Sequence, residues 1–196
     1  SFFPDKNMTT GEGGMIVTNN SEFAQKCQIL KKNGASKRYY NTSIGWNFKM
    51  SDINAALGIS QLKRIESIVE AKNIRAKIYD ELLSSINGIT APIVREYNRS
   101  AYTLYSILMD SKTLREKIRI GLEKQGIESR INFPSMHLQP AYVEKYGSGN
   151  GKYPVSENMS DCILGLPIYI NMAQSEQELV VNTIKELMNW YETFQR

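Results

Sequence analysis

Ser1-Phe2-Phe3-Pro4-Asp5-Lys6-Asn7-Met8-Thr9-Thr10-Gly11-Glu12-Gly13-Gly14 begins the 196-residue chain, and Met15-Ile16-Val17-Thr18-Asn19-Asn20 follows it. The order is unusual: an aromatic approach, one lysine, a pair of hydroxyls, then glycines leading into an apolar run. Residues 11–20 read as a tight turn, a short buried strand and a second turn. The glycines at 11, 13 and 14 do not spell a phosphate-binding loop of the Gly-x-x-x-x-Gly-Lys-Ser/Thr kind. Nor do they spell a dinucleotide Gly-x-Gly-x-x-Gly, because position 16 is Ile. An isolated lysine is ordinarily a solvated charge. It becomes a Schiff-base nucleophile only where burial or neighbouring positive charge lowers its pKa. Its neighbours therefore make Lys6 a candidate.

Outward from this stretch, Ser21 is placed to cap a helix running to about Leu30 and ending near Gly34. Residues 35–50 carry no clean period and read as a loop. Ser51 is a good N-cap with Asp52 in the first turn, and helix formers continue from Ile53 to about Leu83 with Ile65, Ile68 and Val69 at helical spacing. Tyr102 to Met109 predicts a strand. Lys112 to Gln125 predicts a helix with Leu114, Ile118 and Leu122 on one face and Gly126 closing it. Alternation from Ile127 to Phe133 predicts a second strand, and residues 147–151 a flexible loop. The last helix is expected to start at Ser175 with Glu178 completing a capping box. Its apolar stripe would comprise Val180, Ile184, Leu187, Met188 and Tyr191. The pattern is an α/β segment followed by a small α+β domain.

Composition narrows the chemistry. A net charge of +4 suits a small anionic substrate and is too weak to indicate nucleic acid. Cys27 and Cys162 match no metal or redox spacing, which points to a reduced cytosolic setting. No apolar run reaches membrane length. The single histidine, His137, cannot assemble a zinc site or a serine triad by itself. No metal is expected.

With those exclusions made, the opening stretch resembles the cofactor-lysine motif of the DegT/StrS-type nucleotide-sugar aminotransferases. These are fold-type-I enzymes dependent on pyridoxal 5'-phosphate (PLP) and related to aspartate aminotransferase. The resemblance implies that Lys6 holds PLP as a Schiff base and that Ser1 contacts the cofactor phosphate. A second match is Gly45-Trp46-Asn47-Phe48-Lys49-Met50-Ser51-Asp52-Ile53-Asn54-Ala55-Ala56-Leu57-Gly58, followed by Gln61-Leu62. It implies that Asn47 reaches the phosphate in a neighbouring subunit, hence a homodimer with shared active sites. A third match runs from Gly126-Ile127-Glu128-Ser129-Arg130 through Pro134-Ser135-Met136-His137-Leu138-Gln139-Pro140-Ala141-Tyr142. Together with Lys37-Arg38-Tyr39-Tyr40 it is most similar to the perosamine-synthase branch, and it implies substrate contacts from Arg38, Tyr39, Arg130 and His137. Leu166-Pro167 and the final helix also fit, so the likeness covers nearly the entire chain.

The departures are specific. Phe48 and Lys49 stand where the family usually has Tyr and Arg, and Asn33, Asn41 and Thr103 stand where histidines are common. A lysine rather than a histidine at position 6 argues against the dehydratase relatives. The implied organisation is the end of the large PLP-binding domain and the start of a linking helix over 1–70, then a small C-terminal domain over 71–196. The implied reaction is cytoplasmic transamination of a nucleotide-linked 4-keto-6-deoxy sugar, with glutamate as donor and PLP alternating with its pyridoxamine form. Two alternatives stay open: amination of a cyclitol or other keto ring, and a non-catalytic sensing or assembly role on the same fold. Family members place the carboxylate facing the pyridine nitrogen, and the residue stacking on the ring, well before the lysine. The chain is therefore expected to be a C-terminal portion, inactive by itself.

Overall fold

The computed structural model describes residues 1–195, with side chains described through Trp190. Two compact units result, Ser1–Glu66 and Ser67–Arg196. No helix is long and apolar enough, among the described residues, to cross a membrane.

In the first unit the opening stretch closes on itself. The Phe2 amide donates to the Gly13 carbonyl at 2.9 Å, and the Thr10 amide donates to the Phe2 carbonyl at 3.0 Å. Thr10 is buried, and its hydroxyl donates to the Glu12 carbonyl. The expected buried strand at Met15–Thr18 does not form. Val17 is 86% exposed, Met15 and Ile16 are exposed beside it, and the segment has no ladder partner among the described residues. A strand needs a neighbour to take up its backbone groups, and an apolar run alone does not provide one.

Helix α1 (Ser21–Leu30) has the expected span, but its cap is Asn20, whose side chain accepts from the Phe23 amide at 2.9 Å. The region read as a loop contains a small antiparallel hairpin, β1 (Ala35–Lys37) and β2 (Tyr40–Asn41). Its base is a close backbone crossing. Gly34 has φ 75°, and a Cβ there would lie 1.7 Å from the Ser43 carbonyl oxygen. Residues 46–48 return along the end of α1, with the Trp46 amide donating to the Leu30 carbonyl and the Phe48 amide to the Lys31 carbonyl.

Ser51 caps α2 (Asp52–Leu62) as predicted, accepting from the Asn54 amide. The single long helix is in fact two. After α2 the chain tightens at Lys63–Arg64, and α3 runs over Ile65–Leu83. No glycine or proline marks the break, so a propensity reading runs across it.

The second unit is built on a three-stranded antiparallel sheet ordered β3 (Ile89–Thr90), β4 (Tyr105–Met109), β5 (Ile163–Leu166). Strand β4 alternates, with Tyr105, Ile107 and Met109 buried. Against it pack Ala76, Tyr79 and Leu83 of α3, Leu114, Ile118 and Leu122 of α4 (Lys112–Lys124), and Val180, Val181, Ile184 and Met188 of α7 (Gln174–Gln195). Burial of this kind, at about 25 cal/mol per Å² of apolar surface, is the main stabilising contribution. Tyr79 donates to the Pro167 carbonyl at 3.0 Å and Tyr105 to Asp80 Oδ1 at 2.5 Å, so both buried phenols are satisfied.

Two expectations fail in this unit, and two further helices appear. Residues 127–133 do not make a strand: only Arg130 pairs, with Gly165, and Phe133 turns outward at φ 59°. Helices α5 (Pro140–Tyr146) and α6 (Pro154–Cys162) were not foreseen, and β5 follows α6 directly. Finally, α7 starts at Gln174. Glu176 accepts from the Ala173 amide at 2.7 Å, while Glu178 bonds to the Gln174 side chain instead of completing a box. Tyr191, expected on the α7 stripe, lies outside the described side chains.

Substituting Gly34→Ala combines left-handed strain with a clash against backbone that has no rotamer to escape into. The expected loss is about 2 kcal/mol or more. Urea unfolding with an unchanged m-value would check it.

Candidate functional site

Lys6 sits in a turn closed by its own amide, which donates to the Phe3 carbonyl at 3.0 Å. Its Nζ is 3.0 Å from Asp5 Oδ1, and the side chain is 37% exposed. In this pair the amine is engaged by Asp5, so nucleophilic use requires its release. Ser1 lies on the same loop. Its Oγ accepts from the Phe3 amide at 3.4 Å, which leaves the hydroxyl hydrogen free to donate. Thr9 is already committed, donating to the Phe2 carbonyl and accepting from the Gly11 amide.

Asn47 lies on the returning strand-like segment, bridged through its backbone to Lys32. It is exposed, and its carboxamide makes no hydrogen bond among the described residues. Between Asn47 and α1 projects the β1–β2 hairpin, with Arg38 and Tyr39 at its tip. Tyr39 has φ 63° and is 89% exposed. The Arg38 guanidinium lies 4.9 Å over the Tyr39 ring and donates to its hydroxyl at 3.1 Å. These two side chains partner each other, and neither is bonded to Lys6.

The chemistry of this donor set fits PLP in part. It offers an accessible primary amine for a Schiff base, a serine hydroxyl on the same loop for a phosphate, and an uncommitted carboxamide. The carboxylate beside Lys6 is Asp5, which is engaged as its ion-pair partner.

In the second unit Arg130 and His137 have different environments. Arg130 is fixed by its backbone, donating to and accepting from Gly165 at 2.9 and 2.7 Å. Its guanidinium is half-exposed and pairs with Glu128 at 3.0 Å. His137 occupies a short 3-10 turn, Met136–Leu138, whose N-terminal side is seated on α6. The Ser135 amide donates to Ser160 Oγ at 3.1 Å, and Ser135 Oγ donates to the Ser156 carbonyl at 3.0 Å. From α6, Glu157 meets His137 Nε2 at 2.9 Å. The same carboxylate accepts from the Gly151 amide at 2.9 Å and from the Tyr153 amide at 3.4 Å, drawing the glycine-rich loop around the imidazole. Tyr153 meets the ring edge-on at 4.8 Å between centroids. The His137 bond, followed by the Gly151 amide, holds the Glu157 carboxyl below its ordinary range.

Glu157 is the residue that sequence reasoning missed. It lies twenty positions beyond His137, a separation that no local rule connects. The available signal was Tyr153-Pro154-x-x-Glu157: an acidic residue in the first turn of a proline-started helix, placed to reach back to amides at the helix entrance.

A lysine-bearing turn followed by a mixed helix-and-sheet unit is the arrangement of the C-terminal part of fold-type-I, PLP-dependent aminotransferases. The chain belongs to the DegT/DnrJ/EryC1/StrS aminotransferase family, whose sequence profile matches residues 1–185. It is 34% identical to an uncharacterised protein of Methanocaldococcus jannaschii, covering 96% of this chain and 53% of that one. It is 33% identical to the GDP-perosamine synthase of Vibrio cholerae, covering 96% of this chain and 52% of the relative. Among solved structures it superposes on Helicobacter pylori PseC, an aminotransferase of pseudoaminic acid biosynthesis. That match has a TM-score of 0.87 and 27% identity over 95% of this chain and 52% of the other. The chain thus spans about half the length of the curated relatives it matches.

The lowered Glu157 pKa has a signed consequence. Because the native value lies below the ordinary 4.5, its contribution to stability is fully present above that pH and is lost as the pH falls through the native value. Thermal melts between about pH 3 and pH 7 should therefore fall less steeply on the acid side for Glu157→Gln than for wild type.

Proposed function

We propose that these residues belong to a PLP-dependent aminotransferase acting on a nucleotide-linked 4-keto-6-deoxy sugar, with glutamate as amino donor. The carrying observation is Lys6: an accessible amine on an ordered turn, inside the segment that matches the family. Support for the substrate class comes from the perosamine-synthase and PseC relatives. In this reading residues 1–70 end the large cofactor-binding domain and begin the linking helix, and 71–196 form the small domain. The assembly is a cytoplasmic homodimer whose subunits share active sites through Asn47.

When bound, PLP supplies the electron sink for breaking the bond to the α-hydrogen. Lys6 does the rest of the proton work. Its Nζ, released from Asp5 and deprotonated, would hold the cofactor; once displaced by the amino donor, it would take the proton from the donor carbon and later return one to the sugar carbon. One group is thus nucleophile and general acid/base in turn. Ser1 would offer its hydroxyl hydrogen to the cofactor phosphate, and Asn47 would offer its carboxamide from the partner subunit. The Arg38 guanidinium over Tyr39 and, separately, the Arg130 guanidinium paired with Glu128 are each a fork of the kind that suits phosphate oxygens.

Borohydride reduction of the full-length protein with PLP, followed by peptide mapping, should place a pyridoxyl adduct on Lys6. Lys6→Ala should remove it and lower turnover by at least about a hundredfold. An adduct on another lysine, or none, overturns the assignment. Turnover of inosose in preference to nucleotide-linked 4-keto sugars would overturn the substrate class.

A further inference from the structure

His137 is held more firmly than a surface contact residue requires. Ser135 is bonded at its amide and hydroxyl to two residues of α6, so the turn that carries His137 cannot slide along that helix. The ring is closed in by Tyr153 on one side. On another side the backbone of buried Gly149 approaches so closely that a Cβ there would lie 3.0 Å from the imidazole Cδ2. Glu157 completes the enclosure. One of its oxygens faces His137 Nε2, and both face the Gly151 amide, at 2.9 and 3.0 Å. His137 and Glu157 side chains remain 18% and 19% exposed, so the pair is shielded without being sealed.

Direction follows from donor and acceptor chemistry. A carboxylate that takes two backbone amides is acting as an acceptor, so the bond to Nε2 must be donated by the ring. That fixes a proton on Nε2, and in the neutral ring Nδ1 then keeps its lone pair. Nδ1 has no hydrogen-bond partner among the described residues, and it is not among the fully buried unpartnered atoms, so it is reachable from solvent. Carboxylate-oriented imidazoles work this way generally: the far nitrogen's role is set by what the near nitrogen bonds to.

We infer that Glu157 is a positioning residue that locks His137 as an Nε2–H tautomer and so presents Nδ1 as a hydrogen-bond acceptor, for a ligand hydroxyl such as that of the sugar ring. The inference rests on the aminotransferase reading for the identity of the ligand, and on this geometry alone for the tautomer. It assigns the glycine-rich loop a purpose as well. Its amides neutralise the remaining acceptor capacity of Glu157, so that the carboxylate does not rotate away from the ring. The oxygen that meets Nε2 is also the one that takes the Gly151 and Tyr153 amides, so Glu157→Leu removes the acceptor altogether and leaves nothing to hold the proton on Nε2.

Imidazole 15N spectra of the full-length protein, with the His137 signals assigned by their loss in His137→Asn, read the tautomer directly. Wild type should show a protonated Nε2 and a bare Nδ1, and Glu157→Leu, which leaves Nε2 no acceptor, should lose that preference. In steady-state kinetics the same variant should raise KM for the keto sugar about ten- to a hundredfold, the scale of a lost hydrogen bond to a well-oriented group. It should leave the glutamate half-reaction unchanged, which a merely structural staple would not distinguish. Protonation of Nδ1 in wild type at working pH overturns the inference. So does a lost tautomer preference with an unchanged KM. Failure of the underlying reading looks different: wild type itself would then turn over no keto sugar, whatever its tautomer.

Discussion

The pairing of β4 with β5 is the constraint on which the second unit depends. Tyr105 faces Leu166, Ile107 faces Leu164, and the two strands come from positions more than fifty residues apart. Their register decides which side chains enter the core, because a one-residue slip would turn Ile107 and Leu164 out to solvent. Strand β5 then works from both edges. One carries β4, and Gly165 receives the Arg130 backbone on the other. Helix α6 runs straight into β5, so the same pairing also sets where Glu157 stands relative to the turn carrying His137.

Several polar groups inside this unit are tied down, although Gln177 Oε1 is buried without a hydrogen-bond partner among the described residues. Tyr79 and Tyr105 pack ring to ring at 4.9 Å and send their hydroxyls to Pro167 and Asp80. Burial raises both phenols well above their ordinary range, so each remains a neutral donor at any working pH. Gln177 is fully buried and donates to the Arg75 carbonyl, while Arg75 donates to the Met172 carbonyl. A buried amide would be a burden without such partners. Here it fastens the start of α7 to the middle of α3.

The first unit has a contrasting character. Helix α2 has no buried residue, and Ile53, Leu57, Ile59 and Leu62 all reach solvent, as do Met15, Ile16 and Val17. What gives this unit its shape is backbone bonding around glycines: Phe2 to Gly13, Thr42 to Gly34, Trp46 to Leu30. Lys6 is thus placed by turns and not by packing, and its amine is correspondingly accessible.

Local chemistry sufficed for the features whose cause is local. Ser51 caps α2 because a hydroxyl accepts from an amide three residues on. The Leu114, Ile118 and Leu122 stripe buries because of helical period, and Lys6 was marked by neighbours within one turn. Family resemblance, resting on contiguous motifs, was legible for the same reason. Tertiary structure decided everything whose partner is distant. The run at 15–18 had strand-like residues and no neighbour. Alternation at 127–133 had a neighbour at Arg130 only. A pattern of side chains states a preference, and a ladder requires a second chain segment to be present at the right height. The same reason hid Glu157. Nothing in the sequence connects it to His137; the sheet does, by bringing α6 alongside a turn twenty residues earlier and so determining which nitrogen of the only histidine holds the proton.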